Sequence, residues 1–166
     1  MVGRLGHHVL IDGYNVIKQH PLWMRLPLAQ ARNQLIAALQ HTRWPMPVRD
    51  ILVFFDGPAR FDQASSRSGF VEVIFASPTA DEAIQQTIRD SPQPHQLVAV
   101  SDDRAIRDTA KSHGIACHST TWLLERSRPK QMSSLAPNSE RPPLRPTEIR
   151  RINEELAKRW SLPPKN

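Results

Sequence analysis

At 166 residues, with 39% hydrophobic and 23% charged residues, the chain is long enough for one domain with a real core plus an appendage, and too short for two full domains. Its apolar runs, such as Ile51 to Phe55 and Leu97 to Val100, fall far short of the roughly 20 residues of a membrane-spanning helix, and Cys117 alone allows neither an intrachain disulfide nor a cysteine-built zinc site. The net charge of +6 is unevenly spread: 12 Lys/Arg against 11 Asp/Glu up to Leu124, then 10 against 5, so the body carries +1 and the tail +5.

The first strand is Val9 to Ile11. No apolar region of secretory length precedes it, and a reduced, cytoplasmic setting is expected. Leu28, Ala31, Leu35, Ile36 and Leu39 then recur at helical spacing. Ile51 to Phe55 and Val71 to Phe75 read as buried strands; the link between them shows no helical pattern, so the direction of the third strand stays open. Thr79-Ala80-Asp81-Glu82 is a capping-box pattern ahead of the stripe Ala83, Ile84, Ile88. Leu97 to Val100 is a fourth strand, and Ser101-Asp102-Asp103 is an N-terminal signal for a helix carrying Ala105, Ile106 and Ala110 that stops at Gly114. Ile115 to Cys117 is a fifth strand, and Thr120 and Thr121 open a last short helix. Alternating strands and helices imply a three-layer α/β domain with a mainly parallel five-stranded sheet.

Beyond the body, Pro129, Pro137, Pro142, Pro143 and Pro146 mingle with Ser133, Ser134, Asn138 and Ser139, a linker composition. Ile149, Ile152, Leu156 and Trp160 follow at helical spacing. The expected organisation is a domain over 1–126, a proline-rich linker over 127–146, and an amphipathic helix and tail over 147–166.

The acids fall where the strands end. Asp12 follows the first, Asp56 the second, Asp81 opens the helix after the third, and Asp102 and Asp103 follow the fourth. The carboxyl ends of parallel strands share one edge, where open α/β sheets build their sites. Taken singly, each acid has an ordinary reading: Asp81, Asp102 and Asp103 suit a helix N-terminus, and Asp12-Gly13 and Asp56-Gly57 suit turns. Their recurrence at four strand ends favours a shared site, since like charges gathered in one cleft require raised pKa values, basic neighbours or a bound cation. With oxygen donors alone, the expected ion is Mg²⁺ or Mn²⁺. Acids that hold such ions suit phosphodiester hydrolysis.

The motif Val9-Leu10-Ile11-Asp12-Gly13-Tyr14-Asn15-Val16-Ile17 resembles the opening of the NYN domain, a branch of the PIN-like nuclease superfamily, and in particular its YacP-like members. Val53-Phe54-Phe55-Asp56-Gly57, Val71-Glu72-Val73-Ile74-Phe75, Thr79-Ala80-Asp81-Glu82-Ala83-Ile84 and Val98-Ala99-Val100-Ser101-Asp102-Asp103 continue the resemblance in order, from about His8 to Arg126. It implies a PIN-like sheet, a divalent-metal site and endoribonuclease activity. Asp12, Asp81 and Asp102 would be the core metal ligands, Asp56 and Asp103 further ligands or their supports, and Asn15 a support of the first loop or of a metal-bound water. The stretch from Asp56 to Phe70 and the tail after Arg126 match no family pattern.

A nuclease also needs cations to hold a phosphate backbone. Lys18, Arg60, Arg67, Arg104 and Arg107 stand near the acids in sequence and are the candidates, beside the plainer reading of solvated surface charges. Phe61 is placed to stack on a base or to pack on the core. The tail reads either as a basic tether raising affinity for RNA or the ribosome, or as an apolar face docking on the body or on a second copy to form a homodimer. A phosphate-cradling glycine loop is missing, which disfavours ATP or dinucleotide binding. The leading expectation is thus a metal-dependent endoribonuclease acting on RNA, with no membrane role. The alternative is a non-catalytic RNA- or ribosome-binding module; small-molecule phosphate-ester hydrolysis ranks lower, because Asp12-Gly13-Tyr14 lacks a nucleophilic Asp-x-Asp.

Overall fold

The five apolar runs form strands because each alternates its side chains between two buried faces, a pattern that only a sheet covered on both sides satisfies. A computed structural model describes residues 5–57 and 66–129, all within one compact unit, Met1–Pro129. The strands are β1 (His7–Asp12), β2 (Val48–Asp56), β3 (Ser66–Ser68), β4 (Val71–Ala76), β5 (Leu97–Val100) and β6 (Ala116–His118). The helices are α1 (Gly13–Gln19), α2 (Leu28–Gln40), α3 (Ala80–Asp90), α4 (Arg104–Ser112) and α5 (Thr120–Ser127). None of the described helices is long and apolar enough to cross a membrane.

The sheet order is β3-β4-β2-β1-β5-β6. All neighbours are parallel except β3 and β4. A sixth strand therefore joins the five expected ones, and it settles the direction of β4. Parallel neighbours ordinarily need a long crossover. Here β3 brings the chain back antiparallel at the sheet edge, and a turn through Gly69, at φ +63, sends β4 up between β3 and β2. No crossover helix is required.

Alternation along the strands fills two cores. Val9 and Ile11 of β1, with Ile51, Val53 and Phe55 of β2, pack beneath Val16, Ile17, Ala31, Leu35, Leu39 and Leu123 of α1, α2 and α5. Leu10, Phe54, Leu97 and Ala99 face the other way, under Ile84 and Ile88 of α3 and Ile106 and Ala110 of α4. The helical stripes read from the sequence are largely these buried faces, except that Leu28 and Ala105 are exposed. Trp122 packs between the His118 ring, at 3.9 Å, and the Arg126 guanidinium, at 4.3 Å.

Two helix starts bear on the expectations. Asp12-Gly13 is no turn: Gly13 begins α1, with Asp12 as its N-cap. The glycine is needed for space, since a Cβ there would drive into the Phe55 ring, whose Cδ1 and Cζ would lie 2.7 Å away. Thr120 opens α5 as expected, and Ser119 caps it, accepting from the Trp122 N–H.

Candidate active site

The chain leaves β1 for β2 on one side and returns through α3 to β5 on the other, so the sheet reverses its order between β1 and β5. At such a reversal the outgoing loops part and leave a crevice at the carboxyl ends of the strands. Asp12 ends β1 there, and Ser101, Asp102 and Asp103 follow β5 there.

Asp12 is 8% exposed. Its Oδ1 accepts the Asn15 N–H at 3.2 Å, the N-cap bond of α1. Burial pushes its carboxyl from an ordinary 3.8 up to about 6; a hydrogen bond with Asp81 and the charges of Asp81 and Asp56 act in the same direction, against the Asn15 N–H. Burial also raises the Asp81 carboxyl, and Asp103 and Asp56 add repulsion, while the bond to Asp12 and the Lys18 charge oppose the rise. Each carboxyl thus raises or offsets the other's proton affinity, with the charge of Asp56 acting on both and that of Asp103 on Asp81.

The remaining acids are stabilised by donors. Asp56 Oδ1 accepts the Ala80 N–H at 2.6 Å, tying the end of β2 to the start of α3. Asp103 Oδ1 caps α4, accepting from Ala105 at 2.8 Å and Ile106 at 3.2 Å. Asp102 is held by Thr120, whose N–H donates to Oδ1 at 3.2 Å and whose hydroxyl donates to Oδ2. Thr120 is itself fully buried. Ser101, 1% exposed, joins the first and fourth loops: its Oγ accepts from the Asp103 N–H at 3.0 Å and from Asn15 Nδ2 at 3.4 Å.

Neither Ser101 nor Thr120 was picked out as a site residue by the sequence. Each was legible only as a helix-start signal, and Thr120 lies 18 residues from the carboxylate it orients. Asn15 reaches from the first loop to Ser101 through its side-chain amide.

Among the described residues, no three His, Cys, Asp or Glu side chains stand together closely enough to enclose an ion as they are. The donor set nevertheless suits a hard cation. It is all oxygen, it contains the Asp12–Asp81 pair whose mutual cost a cation would relieve, and the bonds to Asp56 and Asp103 engage Oδ1 and not Oδ2. Each Asp102 oxygen keeps a second lone pair beyond its bond to Thr120.

The basic candidates part company. Lys18, exposed on α1, lies within electrostatic reach of Asp81. Arg104 and Arg107 stand exposed on the first turns of α4. Arg67 is not in a loop beside Asp56: it lies in β3, bonded to Asp50 at 2.9 Å and 4.0 Å from Glu72, with Asp50 also 3.4 Å from His8. That places it toward the amino ends of β1 and β2, away from the acids. It was misplaced because the polar Ser66-Arg67-Ser68 shows no strand pattern. Arg60, Phe61, the expected tail helix and the expected linker beyond residue 129 lie outside the described residues; of the three linker residues that are described, Ser127 ends α5.

The family model of the YacP-like NYN domain matches residues 9–161, running past Arg126 into the stretch set apart above as linker and tail. Two crystal structures of Rae1 (YacP) from Bacillus subtilis share the fold. One has 23% identity and a TM-score of 0.57, covering 90% of this chain and 79% of that one. The other, a tryptophan-to-leucine variant, has 23% identity and a TM-score of 0.54, covering 92% and 82%. Among curated proteins there is no match.

Proposed function

The chain belongs to the YacP-like NYN domain family, within the PIN-like nuclease superfamily, and on that premise we propose that it is a metal-dependent endoribonuclease cutting single-stranded RNA at the acid edge of its sheet. The observation that carries this reading is the Asp12–Asp81 pair. Asp12 is almost wholly buried with the half-buried Asp81 beside it, and burial first, then Asp81, pushes the Asp12 carboxyl up to about 6. A fold retains such a pair where something positive is to be held.

Asp12 and Asp81 would hold Mg²⁺ or Mn²⁺, with Asp102 and Asp103 beside them and Asp56 in support. Bound there, the ion supplies charge neutralisation at the scissile phosphate and a water of lowered pKa. The chain's own residues supply order. Thr120 fixes the Asp102 carboxylate through two donors, and Asn15 and Ser101 tie the loops after β1 and β5 to each other. Lys18 offsets the negative field through which an RNA phosphate must approach.

The test is cleavage of a mixed RNA pool in Mn²⁺, with DNA as a control, by wild type and by an Asp12→Asn/Asp102→Asn double variant. Loss of cleavage on the order of a hundredfold or more is expected from removing charges aimed at the reacting centre. A double variant as fast as wild type refutes the assignment. A wild type that binds RNA without cutting it would instead identify a non-catalytic binding module.

A further inference from the structure

One cavity lies outside the acid crevice. It is a groove of about 630 Å³ between α4 and the edge strand β6, lined by Arg104, Arg107, Asp108, Lys111, Ile115 and Cys117. Its composition is divided. Ile115, 6% exposed, and the half-buried Cys117 make an apolar floor. Arg104, Arg107 and Lys111 recur at i, i+3 and i+7, so they form one stripe along the exposed side of α4.

Asp108 is the one acid in the lining, and it lies 3.6 Å from Arg104. Among the described residues, Arg107 and Lys111 have no carboxylate within ion-pair distance. Arg107 and Cys117 line the same groove, so the guanidinium shares it with the apolar floor.

The stripe also has a direction. Asp103 caps α4, so Arg104 is the first residue beyond the acid edge, and Lys111 lies about 10 Å farther down the helix axis. A row of cations that starts at the acids and leads away over an apolar floor fits the two halves of a nucleotide chain, phosphates on the rim and bases or sugars below.

We propose that the α4–β6 groove is the track along which the single-stranded RNA substrate lies beyond the cleavage point, with Arg107 and Lys111 gripping its phosphates. This rests on the reading of the acid edge as an RNA-cleaving site. It adds Lys111, Ile115 and Cys117 to the substrate surface and assigns β6 as its border.

The experiment measures affinity of the full chain for a short fluorescein-labelled, mixed-sequence oligoribonucleotide in EDTA, where cleavage does not intrude, across salt from about 50 to 200 mM. Arg107→Ala/Lys111→Ala is compared with wild type and with Arg43→Ala/Arg89→Ala, which removes the same charge from elsewhere on the surface. The track variant is expected to bind about tenfold more weakly at low salt, with a log–log salt slope shallower by about 1.4 for two lost phosphate contacts. The control variant is expected to keep the wild-type slope. All four side chains are exposed, so folding is not at stake.

A track variant that matches wild type, a control variant that loses as much, or a wild type that binds no RNA overturns the proposal. Cleavage in Mn²⁺ alongside a slope indifferent to Arg107 and Lys111 removes the track alone. Groove-dependent binding without any cleavage removes the nuclease reading and leaves the groove as an RNA site.

Discussion

Asp12→Asn is expected to make the metal-free protein more stable at neutral pH while removing its chemistry. The side chain is 8% exposed, and burial raises its carboxyl from 3.8 to about 6. At about 1.4 kcal/mol per pH unit, this amounts to about 3 kcal/mol of stability forgone when Asp12 is ionised. The sign follows from proton counting. Below 3.8 the folded and unfolded chains both keep the proton and nothing is lost. Between 3.8 and about 6 the unfolded chain releases it and the native one does not, so stability falls as pH rises; above about 6 the loss is complete and constant. Asparagine carries no charge and serves equally well as an N-cap, so the Asn15 N–H keeps its partner. In EDTA the variant should therefore match wild type near pH 3.5, gain on it up to about pH 6, and stay ahead by up to about 3 kcal/mol at pH 8, or roughly 10 °C in Tm for a domain of this size. Thermal melts followed by circular dichroism across that range measure the difference. Added Mn²⁺ should raise the wild-type Tm and close the gap, because only wild type retains the full site. A variant that is less stable than wild type at pH 8 in EDTA would refute the reasoning, since Asp12 would then be a net contributor to the fold.

Thr120→Val removes the hydroxyl that donates to Asp102 Oδ2; it should cost about 1–3 kcal/mol in a denaturant melt. It should also lower kcat for RNA cleavage more than it raises KM, with Thr120→Ser restoring the rate; an undiminished kcat in the valine variant would remove Thr120 from the site. Gly13→Ala forces a Cβ onto the Phe55 ring and should cost about 1–3 kcal/mol by overpacking, whereas a melt unchanged from wild type would show that the ring has room to yield.

Whatever was encoded locally could be read from the sequence. The buried strands announce themselves as apolar runs, and the Thr79 capping box is realised as written, with Thr79 Oγ1 accepting the Glu82 N–H at 3.2 Å. Gly114 ends α4 at φ +68, a conformation that suits glycine. What depends on pairing between distant residues stayed hidden. Ser66-Arg67-Ser68 is polar and exposed, and it becomes a strand only because Val71–Val73 lie opposite. Helix α1 was passed over because Asp-Gly is so common in turns, although Asp12, Val16 and Ile17 carry a cap and an apolar pair. The site shows the same division: its acids follow strand ends and were countable along the chain, whereas Ser101 and Thr120 matter through contacts that span 86 and 18 residues.

Helix cap and metal ligand are rival readings of each acid in the sequence, but capping leaves carboxylate lone pairs free, so the proposed ligand role does not compete with it. Capping is what fixes Asp12, Asp56 and Asp103 to the carboxyl edge, because helices α1, α3 and α4 begin there. The caps also distribute the electrostatic cost unevenly. Asp56, Asp102 and Asp103 accept N–H or hydroxyl donors at 3.2 Å or less, which stabilise a carboxylate. Asp81 has only its bond to Asp12 and the charge of Lys18 to set against burial and two acidic neighbours, and Asp12 has one N–H against burial and two more. Burial first, and the charge of neighbouring acids after it, therefore weighs on these two carboxyls. A cation gains most where the fold has compensated least, so on the proposed reading Asp12 and Asp81 are where the first ion should bind.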